Sequence, residues 1–163
     1  MVKARYSTQL GGGNALISYQ IIAGTAAADL TTTTSGTAQT IALDTYPQGS
    51  VIMYIRVKHS VAFAGGSLTA MKVRVGKSTG VATTNFFVAD FDIFQAVADG
   101  TLVETWATSM GQLSALALTA TFTPTGDAVS AATAGQVAID VVVFPVTTPT
   151  TPAGLYSPAQ TVL

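Results

Sequence analysis

Apolar and polar residues alternate along much of this chain with a period of two. From Val51 to Val61 the odd positions are apolar except His59, and the later even positions are Arg56, Lys58 and Ser60. Successive side chains of a strand point to opposite faces, so the stretch predicts one long strand with a dry face and a wetter one. Ala64-Gly65-Gly66 follows, and glycine accepts the positive φ angles of tight turns. Ser67–Val75 alternates again, with Met71, Val73 and Val75 on one face and Lys72 and Arg74 on the other. Read together, the two strands predict a hairpin whose polar face gathers Arg56, Lys58, Lys72 and Arg74, four of the seven basic residues.

The same logic predicts strands over 37–43, 85–91, 113–123 and 136–146, the last with Val137, Ile139, Val141 and Val143 on one face. Turn chemistry separates them at Tyr46-Pro47-Gln48-Gly49, at 76–80 and at Pro124-Thr125-Gly126-Asp127. Repeated strands punctuated in this way indicate an all-β chain, an antiparallel β-sandwich or barrel rather than an α/β fold. Residues 91–106 break the pattern: Phe94, Val97 and Ala98 lie at helical spacing, which predicts a short helix or helical turn within a long loop.

The ends differ from the middle. Residues 1–13 are polar and glycine-rich and read as an N-terminal arm, and 14–146 form the sandwich domain. Residues 147–163 are rich in Pro and Thr and read as an extended C-terminal arm, with Leu155, Tyr156, Val162 and Leu163 as apolar anchors. Lys3 and Arg5 precede a mildly apolar stretch ending in Ala26-Ala27-Ala28, but Gly11-Gly12-Gly13-Asn14 and Ser18-Tyr19-Gln20 interrupt it. An extended arm leading into a first strand fits that segment better than a secretory leader.

Composition changes the picture at the surface. Charged residues make up 9% of the 163, against about 25% in an ordinary soluble domain. Thr, Ser, Ala and Gly must cover the outside instead, and burying a hydroxyl or methyl costs far less than burying an unpaired charge. Such a chain is suited to being packed among copies of itself or of a partner. Hydrophobic residues reach 48%, yet no run approaches the roughly 20 apolar residues of a membrane-spanning helix, and no membrane partner is expected. The net charge of −1 gives no electrostatic argument for nucleic acid, and the absence of cysteine excludes thiol chemistry and disulfides.

Candidate chemistry is sparse. Gly76-Lys77-Ser78 has the end of a phosphate-binding loop but Met71 where that motif needs its first glycine, so a turn is expected there. Asp90 and Asp92 share a face if their segment is a strand, with Asp99 and Glu104 beyond; calcium needs six to eight oxygen ligands, and solvated or salt-bridged acids fit better. His59, the single histidine, falls on the apolar face of its strand and is expected to be partly buried and satisfied. No Gly-x-Ser-x-Gly elbow supplies a nucleophile for it. No catalytic residue, metal or cofactor is therefore assigned, and the basic face is expected to meet protein rather than nucleic acid.

Three stretches, Ser50–Phe63, Phe86–Gln95 and Phe122–Asp140 with its Thr-Gly turn and Thr-Ala-Gly step, resemble small structural proteins of tailed-bacteriophage heads. The pattern is most similar to the auxiliary capsid proteins, also called decoration or cement proteins. That resemblance implies a jelly-roll or related β-sandwich, commonly a homotrimer, seated on the outer surface of the virion where major capsid protein subunits meet. It implies arms that reach neighbouring subunits and brings no catalytic residues. Two other classes stay open: a different self-assembling subunit (tail, head fibre or surface layer), and a carbohydrate-binding sandwich in which Trp106 with Tyr46 or Tyr54 stacks on sugar rings.

Overall fold

The computed structural model describes residues 2–10, 13–23, 29–46, 50–78, 83–94, 101–106 and 115–144. Among them run the strands β1 (Val2–Leu10), β2 (Gly13–Ala23), β3 (Gln39–Tyr46), β4 (Val51–Ala64), β5 (Ala70–Lys77), β6 (Thr83–Asp92), β7 (Thr101–Trp106), β8 (Leu116–Thr125) and β9 (Ala134–Phe144). A short 3-10 turn, Val129–Ala131, lies between the last two. Every ladder is antiparallel, and the strands divide into a five-stranded sheet ordered β1-β2-β9-β4-β7 and a four-stranded sheet ordered β3-β8-β5-β6.

That order has a simple origin. β2 pairs with β9, β3 with β8, β4 with β7 and β5 with β6, so the chain is one long antiparallel ribbon folded back at the β5–β6 hairpin. Rolling the ribbon brings β4 against β9 and β5 against β8, which closes the two sheets over one core. The protein is a jelly-roll β-sandwich with β1 added at one edge. The inner faces supply the core, with Leu118, Ala120 and Phe122 from β8 meeting the Val137–Val143 alternation that the sequence predicted for β9.

β4 departs from its predicted alternation at both ends. It spends 14 residues over the span that β9 covers in 11, so three residues of β4 are extra. Register shifts fall between Ile52 and Tyr54, His59 and Val61, and Val61 and Ala64. Bulges bend and re-aim the strand. Ile55, Val57 and His59 point inward as predicted, whereas Ile52 is buried and Met53 and Val61 are 38% and 45% exposed.

The predicted hairpin of Val51–Val61 with Ser67–Val75 is not formed. β4 belongs to the five-stranded sheet and β5 to the four-stranded one, and Gly65-Gly66 carries the chain from one to the other. The hydrogen bonds explain the crossing. At the end of β4, Thr133 N–H donates to the Ala64 carbonyl (2.8 Å) and Phe63 N–H to Ile93 (2.9 Å), while at the start of β5 Thr69 N–H donates to Thr125 (2.9 Å). Gly65, at φ +136°, has no room for a side chain, since a Cβ would lie 2.5 Å from the Ala131 carbonyl oxygen. Asp127 closes the corner by accepting from Ser67 N–H (2.9 Å) and Ala128 N–H (2.8 Å), and these bonds hold its carboxyl below the usual carboxylate range.

Of the segment 91–106, Phe91 and Asp92 end β6 and 101–106 form β7, while Val97 and Ala98, which carry the helical spacing, lie outside the described residues. Within the N-terminal arm expected over 1–13, residues 2–10 run as β1 and pair with β2 from Val2↔Ile21 to Leu10↔Gly13 without a shift. β2 itself is the expected first strand of the sandwich and lies between β1 and β9.

Candidate interaction surfaces

The four basic residues proposed as one face lie on opposite outer sides of the sandwich. Lys72 and Arg74 are on β5 in the four-stranded sheet, and Asp90 of the adjoining β6 bridges both, with Lys72 Nζ 3.6 Å from its carboxylate and Arg74 Nε bonded to it. The Arg74 hydrogen bond holds the Asp90 carboxyl below its ordinary range, and Asp90 in turn raises Arg74. Beside this network Thr40 and Thr121 share a hydroxyl hydrogen bond of 3.0 Å, and Thr119 and Thr123 continue the outward row of β8. This face carries hydroxyls and compensated ions together with the exposed ring of Phe86.

Arg56 and Lys58 lie on the outer side of the five-stranded sheet. Arg56 Nε donates to Asp140 Oδ2 at 2.7 Å, and Nη2 makes a second bond to the same oxygen. Asp140 is on the outer side of β9 yet almost wholly buried, while Lys58 is exposed two residues along from Arg56. Neither pair of basic residues presents a positive field, since each has carboxylates within its own sheet face.

The remaining candidates sort clearly. His59 is fully buried beside Phe63 (ring centroids 6.4 Å apart), where a substrate cannot reach it. Burial pushes its pKa below the ordinary value of 6.5 against the opposing effects of a hydrogen bond with the Val61 backbone and the charge of Asp92. Asp92 accepts from Phe94 N–H (2.9 Å), and no cluster of three His, Cys, Asp or Glu among the described residues could hold a metal ion. Lys77, at the β5–β6 hairpin where a phosphate loop was weighed, has its ammonium 4.3 Å from the Phe86 ring centroid. Tyr46 is 1% exposed and unavailable for stacking on a sugar, whereas Tyr54 is half-buried on the outer side of β4 and across the register from Trp106. Leu155, Tyr156, Val162 and Leu163 lie outside the described residues. No helix among the described residues is long and apolar enough to cross a membrane.

One feature escaped the sequence reading. In β2, Ile17, Tyr19 and Ile21 occupy the register positions that continue the outer rows of β9, and Leu16, Ser18, Gln20 and Ile22 continue its inner rows. The alternation is plain in Leu16–Ile22, but only the register with β9 assigns it a side.

No protein-family model matches this sequence, and no curated protein matches it. Among solved structures the chain is similar to a chain of the cyanophage Pam1 capsid asymmetric unit, with a TM-score of 0.54 and 15% identity over 84% of this chain and 89% of that one. It is also similar to chains of the capsid of Ralstonia phage GP4 (TM-score 0.48, 17% identity, 80% and 85% covered) and of the acidic stable capsid of Helicobacter pylori bacteriophage KHP30 (0.46, 14%, 88% and 93%). The first is a likeness of fold, and the other two are too loose to add to it. The class these findings define is the jelly-roll sandwich, and its structural neighbours are chains of phage capsids.

Proposed function

We propose that this chain is a structural subunit of a phage virion that decorates the capsid, bridging major capsid protein subunits on the outer surface as a homotrimer. The observation that carries the reading is the complete jelly-roll ribbon, a fold common among viral capsid domains, in a chain with 9% charged residues. Such a surface loses little on desolvation, which suits a molecule that works pressed against other polypeptides. The mechanism is stapling. Each added interface raises the cost of separating subunits at their junctions, and identical sites repeated over a shell act together. No catalytic step is involved, and residues 147–163 reach a neighbouring subunit as an arm.

The test is an add-back experiment on capsids that lack the protein. Adding the purified chain is expected to raise the temperature at which shells release DNA, and a chain ending at residue 146 to bind shells more weakly while keeping its β circular dichroism. Shells that neither bind the protein nor gain stability overturn the reading. The register pairing of Tyr54 with Trp106 favours a second reading, a sugar-stacking patch. Binding to a glycan array that is lost in Trp106→Ala would support it.

A further inference from the structure

The five-stranded sheet is bounded by β1 and β7, and the four-stranded sheet by β3 and β6. An edge strand leaves a row of backbone N–H and C=O groups unpaired, and proteins blunt such edges with bulges, ions or short strands. β3 has a register shift between Ala42 and Thr45, and β6 pairs with β5 through two shifts and carries Asp90 and Asp92. β7 has six residues. β1 is the exception. Its nine residues follow β2 from Val2 to Leu10 without a shift, and no charged residue follows Arg5 in it. Among the described residues no strand pairs with its other side.

The sequence after β9 suits that edge. Residues 145–163 include no charged side chain, so they bring nothing to repel Lys3 and Arg5, whereas a second β1 would double those cations. Pro145, Pro149 and Pro152 precede the first glycine of the segment, Gly154. Proline fixes φ and favours an extended residue before it, so 145–153 predict a stiff spacer of roughly 28 Å at about 3.1 Å per residue. The chain's own β1 is two strands from β9, about 10 Å away, and a spacer of that length overshoots it. Leu155–Leu163 then offers nine residues with a single proline. In an antiparallel ladder alternate residues turn both N–H and C=O to the partner. Leu155, Ser157, Ala159, Thr161 and Leu163 keep their donors for one side, and Pro158 falls on the other, where an edge strand tolerates it.

We propose that Leu155–Leu163 of one copy adds a strand to the β1 edge of a neighbouring copy, by main-chain pairing along β1. The inference rests on the reading of residues 147–163 as an arm that reaches a neighbouring subunit, and it names the backbone that the arm grasps. Donor strand and acceptor edge are different parts of the chain, so the contact is head-to-tail and can close in a threefold ring.

The test uses the full chain. Thr161→Pro removes an N–H that the ladder needs, and Gln160→Pro removes one turned away from it. By sedimentation equilibrium the wild type and Gln160→Pro are expected to be trimers and Thr161→Pro a monomer. The β1 amides of Thr161→Pro are expected to exchange hydrogen at least about ten-fold faster than those of Gln160→Pro. Because the chain has no cysteine, cross-linking gives a second readout that needs no proline variant. Ser7→Cys chains co-expressed with Ala159→Cys chains are expected to yield, with a short bismaleimide, a covalent pair holding one of each. Thr40→Cys on the β3 edge, co-expressed with Ala159→Cys, is expected to yield none. Equal masses and equal exchange for the two proline variants, or no product between Ser7→Cys and Ala159→Cys chains, overturns the inference. A chain that binds and stabilises shells without that product overturns this inference alone, and one that gives the product and ignores shells overturns the proposed function alone.

Discussion

Asp140 carries a charge at a position 6% exposed on the outer side of a central strand, and Arg56 bonds one of its oxygens twice from a side chain that is 44% exposed. Removing a partner from a buried charge costs more than the pair contributes, because the remaining ion stays desolvated. Arg56→Ala is therefore expected to lower stability by about 2 kcal/mol, below the usual penalty for a fully buried pair because solvent reaches Arg56. Asp140→Asn, which removes the charge and keeps the shape, is expected to cost less. Urea unfolding midpoints check the order. His59 sets a pH response of known sign. Its folded pKa lies below 6.5, so the unfolded chain takes a proton first as pH falls. Stability from this residue is level above pH 6.5 and declines below it, whereas the Asp90 and Asp127 contributions are lost at lower pH, beneath the ordinary 3.8 of their carboxyls. His59→Gln is expected to flatten the decline between pH 6.5 and 5, as followed by thermal unfolding. Gly135 lies under Phe63 at φ +136°, where a Cβ would come 2.4 Å from the ring. Gly135→Ala is expected to cost on the order of 2 kcal/mol, since the buried ring must move and the backbone is strained.

Strand positions were legible wherever side-chain alternation and inward facing coincide, as in Val137–Val143 and the middle of β4. What sequence could not assign was the partner of each strand. Gly65-Gly66 offers the same backbone freedom to a hairpin as to a crossing between sheets, and the difference lies in hydrogen bonds to the carbonyls of residues 93 and 125 and from the N–H of residue 133, all distant in sequence. The basic cluster was drawn on that missing distinction, so Arg56 and Lys58 came apart from Lys72 and Arg74. β7 has no apolar period of two, with Leu102 and Val103 adjacent, and only its pairing with β4 marks it as a strand. The bulges of β4 were likewise invisible, because an extra residue is defined only against the partner strand. They make a register prediction. Met53 has no opposite number between Ile52↔Val143 and Tyr54↔Val142, so deleting it leaves the remaining pairs in phase. The deletion is expected to fold with a loss of about 1 kcal/mol. Deleting Val57 shifts half the strand by one residue, turns its inward set outward and is expected to abolish cooperative unfolding. Far-UV circular dichroism through thermal melts separates the two outcomes.

At the scale of the whole molecule, the outer side of the four-stranded sheet carries threonines, compensated ions and the exposed Phe86, and the outer side of β4 and β9 carries Tyr54, Lys58 and the Arg56–Asp140 pair. Exposed large apolar side chains occur on both sheets, Met53 and Val61 on β4 and Phe86 on β6. Contacts made by a chain with 9% charged residues depend on apolar burial rather than ion pairing. The multimer mass is accordingly expected to be unchanged between 50 mM and 500 mM sodium chloride, and sedimentation at the two concentrations checks it. A mass that falls at high salt would instead place the contact on the Lys72–Arg74–Asp90 side. The most direct trial of the account is cryo-electron microscopy of purified virions. It predicts this jelly roll at symmetry-repeated positions over junctions of the major shell, in contact with neighbouring copies. Virions that contain the shell protein and lack this chain altogether would contradict it.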